Sequence, residues 1–478
     1  MARLTRSPRF WLAMLMLSAL GCAWAGGLLV VAEANDSRVY IEASRVPLRE
    51  MLGKSCTVAY PLVLKAVGAL PHGLVWVPWV HLAAHFLAVG FFYAALGRFG
   101  APPWHALAAS AGFLATMFGD RALGLVLTDF LGRDMAVVTV GCLFWLAAAP
   151  RSILAWGGLI FAAACCYQLR PAYLFLLPLA PCLGLVLLRI RTGRDRQPFR
   201  WKGFALASCC ASLVPYVGFC LLRLAVVGHF GLVSFGGVNM VGVTAEMLDA
   251  RLADSLPETL RPLAQEILRQ RDAMAMTSPL DGAGIDMGHW AKNYNRNVWQ
   301  VAVPAAQRLY GNDPVAVNRQ LTALSQAVIR ARKGVYLRFL TYNFRCGLGK
   351  LLDSGWLIQA LAAASLGAFG LRAWLCRQPT PANHPQGAPA ARAVWDALLL
   401  AAAGFGLAKL ALVALVEMMV PRYVFAAGVL LPSVLALAVW RQLEGLGAIA
   451  PRKSGAAEGR PAPGAVRMHV PRKTSSPV

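Results

Sequence analysis

The chain alternates long apolar runs with short polar breaks. Ten runs read as membrane spans: Phe10–Ala32, Leu74–Leu96, Trp104–Phe118, Met135–Ala149, Ile153–Leu169, Ala172–Leu188, Phe204–Val227, Gly355–Leu375, Val394–Met419 and Tyr423–Trp440. About 20 apolar residues in a helix cross the hydrocarbon core of a bilayer. The expected fold class is therefore an all-α polytopic membrane protein in which helix packs on helix in lipid.

Polar segments divide this pattern. Residues 1–227 form an N-terminal membrane module of about seven spans, whose first loop, 33–72, is mixed polar and apolar. Residues 228–350 are long and polar enough for a separate, mostly helical domain outside the membrane. Within it, Asp313-Pro314 opens a predicted helix through Val328, and apolar periodicity continues toward Phe344. Residues 351–440 supply about three more spans. Residues 441–478 are basic and rich in Pro, Gly and Ser, a composition that predicts disorder.

Charge orients the module. Arg3, Arg6 and Arg9 precede the first run, and Arg189, Arg191, Arg194, Arg196, Arg200 and Lys202 fill the break before the seventh. By the positive-inside rule both lie in the cytoplasm, and ten spans then place both termini inside. The first loop and the 228–350 domain fall outside. Ala23-Trp24-Ala25 has the form of a signal-peptidase site. The apolar run continues through Val30 and Val31, however, so the segment is read as a retained first helix.

The 478 residues are 58% hydrophobic and 14% charged, far from a soluble composition. The net charge of +24 lies largely in short loops and the tail, so membrane topology accounts for it and nucleic acid is not an expected partner. Most of the eleven cysteines fall in apolar runs; only Cys56 and Cys346 fall in segments placed outside, where one disulfide could form.

Candidate chemistry begins at Asn35–Ala43, an acidic stretch at the mouth of the first run. On a helix, Tyr40 shares a face with Asp36 while Glu42 points elsewhere. Asp36 could be a base or could simply cap an interfacial helix. Asp120, Asp129 and Asp134 are expected in the loop before Met135. Asp129 and Asp134 could orient a substrate, hold a divalent metal together with Asp36, or pair with Arg121 and Arg133. Arg170 and Arg422 lie at span ends at headgroup depth, where they could hold phosphate or snorkel. Lys54 and Lys65 are further phosphate candidates. Lys409 lies inside the ninth run with Glu417 two turns later on the same face, which reads as a functional charge or as a structural ion pair. His81 and His85 are spaced to share a face and could bind metal or hydrogen-bond between helices. Gly236-Gly237 with Asn239 reads as a turn. Trp290, Tyr294 and Trp299 could stack on a sugar or form the domain's core.

Four patterns carry a resemblance. Asp36-x-x-x-Tyr40-x-Glu42 after the first run, then Tyr60-Pro61-Leu62, resembles the start of GT-C class membrane glycosyltransferases, among them the protein mannosyltransferase-like and aminoarabinose-transferase-like enzymes. Pro421-Arg422-Tyr423 is similar to the Arg-Tyr that opens a late span in many members, and Asp129 to a second acidic position. Ser37 departs from the pattern, standing where a second acid is usual, and the large domain precedes the eighth run instead of following the last span.

The resemblance implies an inverting transferase that moves a sugar from a polyprenyl-phosphate donor to a periplasmic glycolipid, polysaccharide or protein. It would work at the outward face of the bacterial inner membrane. It implies Asp36 as catalytic base, Asp129 as assisting acid, and Tyr40, Glu42, Lys65, Arg170, Lys409, Arg422 and Tyr423 as substrate or phosphate contacts, with no certain cofactor. Two other functions fit the same topology. One is an O-antigen ligase or polymerase, whose donor would be a pyrophosphate-linked oligosaccharide. The other is a transporter or lipid flippase, for which Lys409, Glu417, His81 and His85 would mark the polar path and for which no internal repeat is visible.

Overall fold

A computed structural model describes residues 7–119, 122–195, 201–276, 287–353, 355–375 and 389–445. The chain is an all-α polytopic membrane protein. Among the described residues, six helices are long and apolar enough to cross a bilayer: Pro8–Ala25, Gly73–Phe99, Asp129–Ala148, Pro171–Gly193, Trp201–Val227 and Ala391–Val416. Two bent pairs, Lys333–Leu351 with Trp356–Leu371 and Pro421–Ala427 with Leu431–Gly445, raise the number to eight if each is one span. The runs at Trp104–Phe118 and Ile153–Leu169 are helical, but as Pro103–Ala115 and Ile153–Leu169 they hold 13 and 17 residues. At 1.5 Å per residue the first of these is about 20 Å long, short of a full crossing.

Local chemistry fixes where helices end. The first run does not stay helical to Ala32. Gly26 closes the helix after Ala25, Gly27 has φ +67°, and the chain turns through Leu29 before it reaches Ala32. Ala32 then forms a parallel bridge with Leu125: its N–H donates to Gly124 O at 2.8 Å, and its carbonyl accepts from Val126 at 3.0 Å. A methyl at Gly124 would stand 2.3 Å from Val30 O, so only glycine permits this approach. Gly100, at φ +103°, stops the helix that begins at Val77. As expected, Asp313 caps Pro314–Ala331, its carboxylate accepting from Val315 and Ala316 N–H. Gly236-Gly237 is not a turn. It opens a helix, Gly236–Thr244, and Gly237 lies so close to Asn318 O that a methyl would fall at 2.4 Å. The last helix continues to Gly445, into the stretch expected to be disordered.

The helix Asp129–Ala148 is the axis of the membrane module, with 83% of its apolar window buried. It packs between Val77–Phe99, Ile153–Leu169 and Leu176–Asp195, and Phe92, Phe113, Phe144, Tyr173 and Phe405 belong to the core around it. Residues 228–350 have a core of their own, built on Val241, Leu263, Ile267, Trp290, Leu321 and Phe339, which Met418 joins from the membrane side.

Two polar ties hold the domain to the module. Helix Pro389–Val416 ends with carbonyls that lack helical partners, and helix Lys333–Asp353 satisfies them. Asn343 Nδ2 donates to Glu417 O at 2.8 Å, Lys350 Nζ donates to Met419 O at 2.8 Å, and Tyr336 donates to Leu415 O. Arg223 is buried and donates to Leu52 O at 3.0 Å, Gly231 O at 2.7 Å and Ser234 Oγ at 3.1 Å. It thereby joins the first loop, a membrane helix and the entry to the domain.

Candidate active site

The first loop folds over the end of the Asp129 helix. Ser37–Ser44 is a short helix whose N-terminus is stapled by Ser37, the hydroxyl of which accepts from Ala34 N–H at 2.8 Å. Asp36 sits at the capping position but makes no side-chain cap bond. Its carboxylate instead accepts from Arg422 Nη1 at 2.7 Å, a partner 386 positions away. Tyr40 leaves that face inward and meets Tyr60 edge-to-face at 5.4 Å between centroids. Burial raises the Tyr40 phenol above its ordinary pKa, with the neighbouring Arg170 acting against it. Glu42 turns away and pairs with Arg38 at 2.9 Å on an exposed face.

Asp129 is not in a loop. It is the first residue of its helix, where a carboxylate is favoured by the helix dipole, and it is bound by Arg170 Nη1. This pair is almost dry, with side chains 11% and 12% exposed, whereas Asp36 and Arg422 are 49% and 41% exposed. Gly132 makes room for the Tyr173 ring against the Asp129 helix; a methyl there would lie 2.8 Å from it.

Both arginines converge on one aromatic side chain. The guanidinium carbons of Arg170 and Arg422 lie 4.6 and 5.2 Å from the centroid of Tyr423, and Arg422 Nη2 reaches the Tyr423 hydroxyl at 3.4 Å. That hydroxyl donates to Glu417 at 2.6 Å. Lys409 is buried beneath, its Nζ 3.5 Å from the centroid of Tyr173. Asp129 thus lies within electrostatic reach of Arg170, Arg422 and Lys409 together. A cleft of about 450 Å³ opens beside the cluster between domain and module. Tyr294, Asn295, Lys350, Glu417, Met419 and Arg422 are among its lining residues.

The structure therefore gathers Asp36, Tyr40, Asp129, Arg170, Lys409, Arg422 and Tyr423. It does not gather Lys65, whose ammonium donates to Val46 O at 3.2 Å within the first loop. Asp134 is not a loop acid; it is buried inside its helix and accepts from His85 Nδ1 at 2.8 Å. Asp120 and Arg121 lie outside the described residues. The expected Lys409–Glu417 pair does not form, because the helix ends at Val416 and Glu417 turns off its face toward Tyr423. Burial pushes the Glu417 carboxyl above its ordinary pKa, against the pull of Tyr423, Arg170 and Arg422.

His81 and His85 are occupied by hydrogen bonds. His81 bonds Tyr60 and Leu123 O, and His85 bonds Asp134 and Leu114 O. Cys56 and Cys346 are both free, as are the other described cysteines. Trp290 is a core residue stacked on Phe339, Trp299 is exposed beside Phe235, and Tyr294 faces the cleft.

For a divalent metal the fit is poor. Asp36 and Asp129 each spend an oxygen on an arginine, so a metal would have to displace a guanidinium, and no group of three or more metal-ligating side chains occurs among the described residues. The arrangement is suited to holding a phosphate, which arginine recognises bidentately. Sequence reading missed Lys350, for which the sequence carried no local signal, and gave Glu417 the wrong partner, Lys409 instead of Tyr423. No family model, curated protein or solved structure matches the chain.

Proposed function

We propose that the chain is an inverting glycosyltransferase that takes a sugar from a polyprenyl-phosphate donor. It delivers the sugar to a hydroxyl of a glycolipid, polysaccharide or protein on the outward side of a bacterial inner membrane. The acceptor oxygen bonds to the anomeric carbon as the bond from that carbon to the phosphate oxygen breaks. The acceptor proton passes to Asp36, and the electron pair leaves with the phosphate. A hydroxyl is a poor nucleophile until its proton is accepted, and the half-exposed Asp36 carboxylate stands where an acceptor can reach it. Arg422 and Arg170 stabilise the charge that develops on the leaving phosphate, with Lys409 adding cationic field from below. Asp129 keeps Arg170 in place.

The observation that carries this reading is the convergence of Asp36, Asp129, Arg170 and Arg422 around Tyr423, beside a cleft and at the ends of membrane helices. Reconstituted protein supplied with polyprenyl-phosphate-linked hexose and candidate acceptors tests it. Asp36→Asn should lower transfer by roughly 10²–10⁴-fold, the usual contribution of a general base. Transfer at the wild-type rate in this variant would rule Asp36 out as the base.

A further inference from the structure

The two arginine–carboxylate pairs are built differently. Arg170–Asp129 is nearly dry and closed over by Tyr423, and separating such a pair leaves two uncompensated buried charges. Arg422–Asp36 is about half exposed, and an exposed pair is weak in water. Arg422 also has its fork divided. Nη1 is on Asp36, and Nη2 faces the Tyr423 oxygen, whose proton is committed to Glu417. The Nη1–Nη2 face so divided is not open to give a phosphate two parallel bonds until Asp36 lets go.

We propose that Asp36 and the donor phosphate exchange places on Arg422, and that Tyr423 and Glu417 are positioning residues that hold Arg422 for the exchange. The inference rests on the transferase reading above. The donor phosphate is a diester with a single charge, but its two free oxygens match the guanidinium fork and the pair it replaces is weak in water, so it displaces Asp36 while the buried Arg170–Asp129 pair stays intact; the second charge that develops as the sugar leaves strengthens the hold. Asp36 is released only when donor is present, next to the leaving group it must oppose. Glu417 takes part without touching the phosphate. By accepting the Tyr423 hydroxyl proton it turns the phenol lone pairs toward Arg422 and keeps the guanidinium at the mouth of the cleft.

The test is equilibrium binding of sugar-free polyprenyl monophosphate to the full-length protein in nanodiscs of neutral lipid. Asp36→Asn, although inactive in transfer, should bind about fivefold tighter than wild type, since it loses only a weak internal competitor. Glu50→Gln, which removes an acid of the same loop that is not in the cluster, should bind as wild type does. Glu417→Gln keeps an oxygen acceptor and should retain wild-type affinity. Glu417→Leu should bind about tenfold more weakly and show its defect in the donor KM more than in kcat. Equal or weaker binding by Asp36→Asn, with wild-type binding measurable, overturns the exchange. Wild-type affinity in Glu417→Leu overturns the positioning role. Failure of the wild-type protein itself to bind polyprenyl monophosphate sinks the transferase reading instead.

Discussion

Replacing Asp129 by Asn probes the most consequential contact in the site. The change removes the negative charge that answers Arg170 in a place where both side chains are nearly water-free. Breaking a buried ion pair from one side costs about 3–5 kcal/mol, because the remaining charge is left desolvated and unpaired. Arg170 keeps its position over the Tyr423 ring in both proteins, so that cation–π contact cancels in the difference. The expected net loss is therefore about 3–5 kcal/mol. Lys409 and Arg422 lie within reach of the same carboxylate, so the true figure belongs at the upper end. Chemical denaturation of the detergent-solubilised protein, followed by tryptophan fluorescence, measures it. The double variant Asp129→Asn with Arg170→Gln removes both charges and should recover most of the stability while transfer stays lost. A loss below about 1 kcal/mol in the single variant, or a double variant no more stable than the single, would refute the view that this pair is dry and mutually dependent.

Two further outcomes follow from the same geometry. Arg223→Leu leaves acceptors on Leu52, Gly231 and Ser234 without their buried donor, at about 1–3 kcal/mol each, and should lower the melting temperature and loosen the first loop to limited proteolysis. Glu417 has its pKa raised by burial, so the folded state holds its proton more tightly than the unfolded chain does. Its contribution to stability is then present at low pH and declines as pH rises through the window above the unfolded carboxyl value. Any stability deficit of Glu417→Gln should accordingly narrow between pH 5 and pH 8; a deficit that widens would contradict that sign.

The membrane class of the fold was legible because lipid demands long apolar helices, and the runs from Leu74 to Val227 announce them plainly. Helix ends were less so. The composition of Phe10–Ala32 is uniform enough to span a bilayer, yet two glycines and the bridge to Leu125 end the helix at Ala25. Asp129 and Asp134 looked like loop acids because charge interrupts an apolar pattern. A helix can carry both when Arg170 and His85 lie across from them, and those partners come from the end of one neighbouring helix and the interior of another. Glu417 was assigned to Lys409 on helical spacing alone, and one turn of backbone after Val416 redirected it. Asp36 and Arg422 could each be suspected from their neighbours in sequence, but their contact depends on how the first loop and the last broken helix pack, which no local pattern encodes.

The contrast between the first helix and the Asp129 helix bears on how the protein can drift over evolutionary time. Only 17% of the apolar window of Pro8–Ala25 is buried by the rest of the chain, against 83% for Asp129–Ala148. The first helix answers chiefly to the solvent around it, so one apolar residue there is nearly as good as another, and its letters can be rewritten while its length is kept. What anchors it is the turn and bridge from Leu28 to Ala32 against Gly124, where no side chain can be added. Lineages of this protein should therefore diverge freely in the helix and hardly at all at position 124, where a backbone hydrogen bond carries the loop to its chemistry.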